Sequence, residues 1–326
     1  MGKTELAAEI GSWRPRVRFA ALTGKAVNVL EQRGCRPAST LHRLLYHATY
    51  DYHSDTYHFT RRTRDEAIDL LIVDEASMIN SQLGKDIRSL GVPTLILADP
   101  FQLPPITGEG FFMGRKPDVM LTQIHRQARD NPIIAFADAI RRGKHHLRPQ
   151  DSIGDEVQII NGRHDHPEEF DAVLCGRNRT RHKVNAEVRR ARGFSGPIPQ
   201  VGETVCCLRN DYSVHEAVLN GSTWEVVGSQ LLGRKVVELE LQAPDSASFV
   251  RAPVRCFGQD HSPVDREEGL QDFDFGYCLT VHKAQGSEWD DVLVIDERFC
   301  FPNAKQRWLY TAVTRARETL TIELPR

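Results

Sequence analysis

Short apolar runs alternate with helix-like segments along most of the chain. The runs Val17–Leu22, Leu70–Val73 and Thr94–Ala98 predict buried strands, and Lys25–Arg33, ended by Gly34, predicts a helix. A second series begins at Ala172–Cys175 and continues with strands at Tyr277–Val281, Val292–Ile295 and Thr319–Leu324 and a helix at Lys305–Ala316. Alternation of this kind predicts α/β structure, with parallel sheets covered by helices on both faces.

The two series predict two α/β domains, over residues 1–147 and 148–326. Two stretches interrupt the alternation. Residues 46–66 alternate polar and aromatic side chains at their start, which predicts a β-hairpin inserted in the first domain. Residues 197–270 are rich in valine, glycine and proline and contain short strand-like runs, which predicts a small all-β insertion in the second domain.

Composition and charge restrict the class of protein. Hydrophobic residues make up 40% of the 326 positions and charged residues 26%, as in ordinary globular proteins. No stretch has the apolar length that a membrane span requires. The net charge is −2, so a nucleic-acid partner would need a locally basic surface, such as the run from Arg177 to Arg192. A solvated helix face is the simpler explanation of that run. Seven scattered cysteines without a Cys-x-x-Cys pair favour reduced thiols and a cytoplasmic protein.

The first candidate for chemistry lies at the N-terminus. Gly2-Lys3-Thr4 matches the end of the phosphate-binding loop G-x-x-x-x-G-K-[ST], in which the lysine reaches the terminal phosphates and the threonine hydroxyl binds Mg²⁺. The next residues, Glu5 to Ile10, are typical of a helix start, where backbone N–H groups hold phosphate. The tripeptide by itself is weak evidence, because it often occurs by chance.

A pair of carboxylates follows the apolar run 70–73. A strand that ends in Asp74-Glu75 places both side chains at the carboxyl edge of a sheet, where open α/β folds bind ligands. Asp74 is predicted to hold Mg²⁺ and Glu75 to act as the general base on an attacking water. An isolated pair would more simply be an acidic helix cap, but the strand before it and the Gly-Lys-Thr string favour the catalytic interpretation.

Further strings stand in the order and spacing of one enzyme family. They are Ala20–Ala26, Ser39–Leu45, Val73–Met78, Leu97–Pro105, Leu121–Gln127, Ile140–Gly143, Thr280–Glu288 and Leu309–Arg317. As an ordered set they resemble the motifs of the RecD-like and phage Dda-like DNA helicases of superfamily 1B, across nearly the whole chain. Ala98 stands where the family usually has glycine. The resemblance implies two RecA-like P-loop domains with ATP between them, a hairpin pin in the first and an SH3-like insertion in the second.

The resemblance also implies catalytic roles. Gln102 would contact the attacking water or the γ-phosphate, and Arg126 and Arg315 would reach the γ-phosphate as arginine fingers. Gly286 and Glu288 would contribute to the nucleotide site. A planar guanidinium suits a phosphoryl group whose charge is spread over three oxygens. The alternative for each arginine is a surface ion pair.

A DNA track is implied in the same way. Its residues would be Thr23, Lys25, His42, Thr280, His282 and Lys283. Hydroxyl, imidazole and ammonium groups bind phosphate without reading bases, as a sequence-independent motor requires. Buried structural histidines are the alternative for the two imidazoles. Tyr50 and Tyr52 share one face of the hairpin and would stack on bases, although cross-strand packing that only stabilises the hairpin explains them equally well.

The implied activity is an ATP- and Mg²⁺-dependent motor that moves 5′ to 3′ on single-stranded DNA and separates strands at duplex junctions in replication, repair or recombination. A monomeric motor is expected, with nuclease or replication partners left open. An RNA-directed helicase and a catalytically impaired DNA-binding subunit remain alternatives. The family carries a strand and a loop G-x-A-G-x-G-K-T where this sequence starts, so we expect the native protein to extend upstream of Met1.

Overall fold

The computed structural model describes residues 2–51, 56–62, 67–105, 110–121, 131–144, 147–149, 151–208, 218, 221–243, 246–258 and 270–325, with only the backbone of 48–51 and 56–59. Contacts divide the chain into two compact units, Met1–Gln123 and Ile124–Arg326. Each unit contains a mainly parallel sheet with helices, which confirms the predicted α/β class. In the described ranges, no helix has the length and apolar character needed to cross a membrane.

The first unit alternates strands and helices as predicted. Its strands are β1 (Val17–Ala21), β2 (Ala38–Thr40), β3 (Tyr46–Asp51), β4 (Thr56–Arg61), β5 (Leu70–Asp74) and β6 (Thr94–Ile96). Its helices are α1 (Gly2–Ser12), α2 (Gly24–Gln32), α3 (Leu41–Leu45) and α4 (Ser81–Arg88), and a 3-10 turn covers Ala76–Met78. Four of the strands form a parallel sheet in the order β2-β1-β5-β6.

Both faces of this sheet are buried. Phe19 and Ile72 point to one face, where they pack with Leu30 of α2. Leu71 and Val73 point to the other, in an apolar cluster that also contains residues of α3 and α4. Because successive strand residues face opposite sides, a strand covered on both sides is apolar at nearly every position. This is why the run 70–73 identified β5 from sequence.

Strands β3 and β4 form the predicted hairpin. They pair antiparallel, with Tyr46 opposite Arg61 and Tyr50 opposite Tyr57. The base of the hairpin is attached to α4 through one carboxylate. The Tyr46 hydroxyl donates to Oδ2 of Asp86 at 2.5 Å, and Nε of Arg61 lies 3.7 Å from Oδ1. Burial and the bond to Asp86 raise the pKa of Tyr46 to about 12.

The second unit contains the remaining elements. Its strands are β7 (Ser152–Ile153), β8 (Val157–Asn161), β9 (Ala172–Cys175), β10 (Thr204–Cys207), β11 (Thr223–Leu232), β12 (Val236–Ala243), β13 (Ser246–Pro253), β14 (Phe273–Phe275), β15 (Cys278–Thr280), β16 (Trp289–Ile295) and β17 (Ala316–Leu324). Its helices are α5 (Pro132–Arg141), α6 (Asn178–Ala191) and α7 (Lys305–Val313), with 3-10 turns at Pro167–Glu169, Val254–Cys256 and Arg298–Cys300.

These strands form two sheets. The larger has the order β15-β9-β16-β17-β8-β7 and is parallel except for the short pair β7 and β8. The smaller is antiparallel in the order β13-β12-β11-β10-β14, which confirms the predicted all-β insertion and extends its sheet to Phe275. Val173 and Val184 share one continuous core with Val205 and Trp224, so the insertion and the parallel sheet bury a common apolar surface.

The two compact units meet between Gln123 and Ile124, whereas the sequence places the domain boundary between residues 147 and 148. The difference comes from α5, which precedes the predicted boundary. This helix packs against α7 and β17 of the second unit. Nε2 of Gln306 on α7 also donates to the carbonyl of Ile140 at 2.6 Å.

Candidate functional site

The candidate residues of the first unit gather at one edge of its parallel sheet. Thr23 follows β1, His42 follows the last residue of β2, and Glu75 follows β5. Gln102 comes shortly after β6. All four strands run in the same direction, so these residues lie at the carboxyl edge, where open α/β sheets bind ligands.

The structure brings together the two motifs that the sequence assigns to nucleotide and metal binding. Thr4 lies in the first turn of α1, and its Oγ1 donates to Oδ2 of Asp74 at 3.3 Å across 70 residues of sequence. Asp74 is 8% exposed, and its Oδ1 accepts the N–H of Glu75 at 2.8 Å. Hydroxyl and carboxylate oxygens are ligands that Mg²⁺ prefers. The pair therefore fits the predicted ion, and Gly2 and Lys3 stand beside it at the start of α1.

Glu75 has an unusual backbone. Its φ is 51° and its ψ is 40°, and it is the one non-glycine residue with positive φ in the described ranges. A non-glycine residue in this left-handed region costs on the order of 1–3 kcal/mol, and such residues cluster at functional sites. The next residue is held firmly, because the N–H of Ala76 donates to the carbonyl of Leu97 at 3.0 Å. The strain falls on the residue predicted to be the general base.

Gln102 is nearly buried, and its side-chain oxygen has no partner among the described residues. The residue is 7% exposed and lies in a turn, in which its N–H donates to the carbonyl of Asp99 at 3.2 Å. Ser77 has a buried hydroxyl in the same situation. Leaving a buried acceptor unsatisfied costs about 1–3 kcal/mol, so this amide is suited to contact a ligand or its attacking water.

The predicted DNA-track residues of the first unit differ in their surroundings. Oγ1 of Thr23 caps α2 by accepting the N–H of Ala26 at 3.3 Å, and Lys25 is partly buried in the same turn. His42 is partly buried, its Nδ1 has no partner in the described part of the chain, and its ring lies 6.0 Å from that of Tyr46. Burial lowers the pKa of His42. Its contact with phosphate would therefore be a hydrogen bond from a neutral ring.

Several predicted residues cannot be placed. The backbone of Tyr50 lies in β3, and its side chain is outside the description. Tyr52 and Arg126 lie outside the described residues. Their roles stay predictions.

The second unit has its own carboxyl edge. Thr280 ends β15 and is 9% exposed, and its Oγ1 accepts the N–H of Lys283 at 3.4 Å. The ring of His282 packs 5.3 Å from that of Phe301, and burial lowers its pKa. The loop continues to Gly286, which has a φ of 78°, and to Glu288, which is exposed.

Arg315 is buried at the end of α7 and fully hydrogen-bonded. Its Nε donates to the carbonyl of Thr311 at 3.1 Å and Nη1 to that of Ser287 at 3.1 Å. Nη2 donates to Oγ1 of Thr314 at 3.0 Å. All three nitrogens thus find acceptors inside the second unit. The guanidinium would have to exchange these bonds to reach a nucleotide, so its role as an arginine finger stays a prediction.

Comparison with known proteins identifies the family. An AAA domain model matches residues 2–159, and a UvrD-like helicase C-terminal domain model matches residues 275–322. The chain is 28% identical to the ATP-dependent RecD2 DNA helicase of Deinococcus radiodurans, over 93% of this chain and 42% of that protein. It is 25% identical to the RecBCD enzyme subunit RecD of Mycolicibacterium smegmatis, over 98% of this chain and 63% of the relative. The chain is a RecD helicase homologue.

Solved structures agree on the fold of this RecD homologue. Bacteroides Pif1 bound to single-stranded DNA superposes with a TM-score of 0.59 at 19% identity, over 98% of this chain and 86% of that one. Pif1 from Candida albicans gives 0.55 at 14% identity, over 99% and 94%. These likenesses confirm the two RecA-like domains. The chain spans 42% and 63% of the length of its two RecD relatives.

Sequence reasoning missed a second acidic motif in the RecD homologue. Glu297 is 3% exposed, and its carboxylate accepts the N–H groups of Gly176 and Arg177, both at 2.9 Å, and the hydroxyl of Thr180 at 2.6 Å. It also pairs with the Arg177 guanidinium. These contacts tie the end of β16 to the start of α6. A signal was present, because an apolar run that ends in Asp296-Glu297 repeats the pattern at Asp74-Glu75.

Proposed function

We propose that the chain is the motor core of an ATP-dependent DNA helicase that moves on single-stranded DNA. The observation that carries the proposal is the contact between the Thr4 hydroxyl and the Asp74 carboxylate, with the strained Glu75 next to it. Those three residues bring the ends of two nucleotide-binding motifs to one sheet edge. The homology to RecD helicases and the RecA-like fold support the same function.

In this proposal each residue of the first unit has a chemical task. Thr4 and Asp74 hold Mg²⁺, and Lys3 neutralises the terminal phosphates of ATP. Bound Mg²⁺ supplies positive charge that offsets the charge developing on the phosphate oxygens during transfer. Glu75 accepts the proton of the attacking water, and Gln102 orients that water with its buried amide.

The second unit and the track complete the motor. Gly286 and Glu288 contribute to nucleotide binding, and Arg126 and Arg315 stabilise the γ-phosphate in the transition state. Thr23, Lys25, His42, Thr280, His282 and Lys283 hold the backbone of one strand, and Tyr50 and Tyr52 stack on bases at a duplex junction. The motor acts as a monomer in the cytoplasm, moves 5′ to 3′, and serves replication, repair or recombination. It works with nuclease or replication partners.

The deciding experiment measures ATP hydrolysis with and without single-stranded DNA. The chain is compared with a version extended at its N-terminus by the residues that complete the phosphate-binding loop motif, and Glu75→Gln is made in both. We expect DNA to stimulate hydrolysis severalfold or more in the extended chain and Glu75→Gln to abolish it. A folded extended chain that binds DNA without hydrolysing ATP would refute the motor and leave a binding subunit.

A further inference from the structure

An ion pair is buried in the second unit, between α6 and the β insertion. Nη2 of Arg181 lies 3.0 Å from Oδ2 of Asp274, and the two side chains are 4% and 0% exposed. The other carboxylate oxygen accepts the N–H groups of Gly258 at 2.9 Å and Phe275 at 2.8 Å. Asp274 is thus fixed by the backbone of the insertion, and it fixes Arg181 in turn.

The guanidinium of Arg181 is only partly satisfied. Its Nη2 also lies 3.3 Å from Nε2 of His182, but Nε and Nη1 are buried and have no hydrogen-bond partner in the described part of the chain. A buried donor without an acceptor is expensive, and more so when it carries charge. Arg181 therefore presents two unused donors that an oxygen anion would satisfy.

A second cation lies near the first. Lys283 follows β15, and its ammonium makes no hydrogen bond or ion pair within the described ranges. Burial lowers the pKa of Lys283, and the positive charge of Arg181 lowers it further. Two cations therefore face a single carboxylate, that of Asp274. This excess of positive charge in a poorly hydrated place is stabilised by binding an anion.

The position of the pair indicates which anion. Strand β9 leads into α6, which carries Arg181, and β15 leads into the loop that carries Lys283. These two strands are parallel neighbours, so both cations come from the carboxyl edge of the sheet, where such folds bind ligands. His182, with its side chain 13% exposed, and the partly exposed Lys283 give access from solvent.

We propose that Arg181 and Lys283, with His182 beside them, form a site for one backbone phosphate of single-stranded DNA. The site rests on the proposed function, which it extends by one positioning residue, Arg181, that anchors the track in the second unit. A guanidinium fork and an ammonium together suit the several oxygens of a phosphate. Asp274 keeps the fork in place without neutralising both cations.

The test is equilibrium binding of a fluorescent oligothymidine, without nucleotide, at several salt concentrations. The variants are Lys283→Met and Arg181→Lys, which keeps a cation beside Asp274 and removes the fork. Arg190→Met, on the exposed side of the same helix, is the matched control. We expect each site variant to bind about tenfold more weakly or worse and the control to bind normally. The slope of log affinity against log salt should fall by about 0.7 for Lys283→Met.

The double variant separates a shared phosphate from independent effects. If both residues hold one phosphate, combining Arg181→Lys with Lys283→Met weakens binding by less than the product of the single losses. A folded Arg181→Lys variant with wild-type affinity overturns the proposal and leaves a structural ion pair. If Arg181→Lys fails to fold, Lys283→Met decides alone, and a wild-type salt slope in that variant overturns the site.

Inorganic sulfate provides the arm that distinguishes sources of the anion. We expect sulfate to raise the melting temperature of the wild-type chain more than that of Lys283→Met, and to compete with the oligonucleotide. Stabilisation by sulfate with DNA affinity unchanged in both variants would assign the site to a free anion and overturn the DNA assignment. Since no nucleotide is present, loss of ATP hydrolysis refutes the motor and leaves this result untouched.

Discussion

Glu75 combines a strained backbone with a place at the edge of a parallel sheet. The residue before it is held by Thr4, and the residue after it by the carbonyl of Leu97. Contacts on both sides therefore maintain a conformation that an ordinary loop would relax. The strain is explained if the carboxylate must stand at one position relative to a bound nucleotide.

Glu75→Gln should remove hydrolysis and keep binding. Loss of a positioned general base lowers the rate about 10²- to 10⁴-fold. The amide preserves size and hydrogen bonding, so the melting temperature and DNA affinity should stay close to wild type. Steady-state hydrolysis in the presence of single-stranded DNA measures the effect. Glu318→Gln, an exposed site on β17, is the control, and a Glu75→Gln variant as fast as that control would exclude the assigned role.

His42 should make stability depend on pH. Burial lowers its pKa in the folded chain below the value of about 6.5 that the unfolded chain has. The unfolded state therefore binds more protons, and stability is lost as the pH falls through about 6.5. Urea denaturation at pH 5.5 and 7.5 should show a smaller loss on acidification in His42→Gln than in wild type. His47→Gln, at an exposed position, should keep the full loss, and equal losses in all three chains would contradict the assignment.

At the scale of elements, the hairpin is attached to its unit through Asp86. This carboxylate is 6% exposed, and it receives the Tyr46 hydroxyl, Nε2 of Gln82 at 2.9 Å and the charge of Arg61. One residue of α4 therefore orients both strands at the base of the hairpin. A pin that meets a duplex requires such a rigid attachment.

Tyr46→Phe should loosen the hairpin. The lost hydrogen bond to a carboxylate is worth about 1.5–3 kcal/mol, and the ring stays in place. Hydrogen exchange should speed up in residues 46–51 and 56–61, with β1 and β5 unchanged. Exchange that stays slow in both hairpin strands would show that Asp86 does not anchor them.

The β insertion is joined to α6 through a second buried ion pair. Nε of Arg189 lies 2.7 Å from Oε1 of Glu203, and the side chains are 10% and 0% exposed. Arg189 also stacks on Phe275 at 3.8 Å and donates from Nη1 to the carbonyl of Gly196 at 2.9 Å. Glu203 receives the Tyr277 hydroxyl at 3.3 Å. The insertion is therefore part of the second unit rather than a loosely tethered module.

Arg189→Met should destabilise the second unit by about 3–5 kcal/mol, because it leaves the Glu203 carboxylate buried without its partner. Arg189→Met combined with Glu203→Gln should lose less than the single variant, since no unpaired charge remains. Urea denaturation measures both. A single variant within about 1 kcal/mol of wild type would mean that the pair is dispensable.

For the whole molecule, the open property is the direction of movement. The two RecA-like domains each present a carboxyl edge with candidate track residues, and motion along one strand follows from the proposed hydrolysis. We expect the extended chain to displace a strand from a duplex with a 5′ single-stranded tail and to leave a duplex with a 3′ tail intact. A strand-displacement assay with both substrates measures this. Displacement from the 3′ tail alone would reverse the polarity implied by the resemblance.

Local patterns carried a large part of the fold. A strand buried on both faces is apolar at nearly every position, so β5 and β9 were evident from Leu70–Val73 and Ala172–Cys175. The motifs follow the strands because ligands bind at the carboxyl edge, which is why Asp74 and Glu75 could be assigned. Strand ends and β7 were harder, because hydrogen bonds to neighbouring strands decide where a strand stops.

The sequence by itself therefore determined the α/β class, the hairpin, the all-β insertion and the ordered motifs, since each depends on neighbours in the chain. Tertiary structure alone decided which polar residues became buried partners. Asp86 under Tyr46 and Asp274 under Arg181 are separated by 40 and 93 residues, and nothing local distinguishes them from surface charges. Burial strengthens their interactions and penalises every unpaired donor, and burial is a property of the packed molecule.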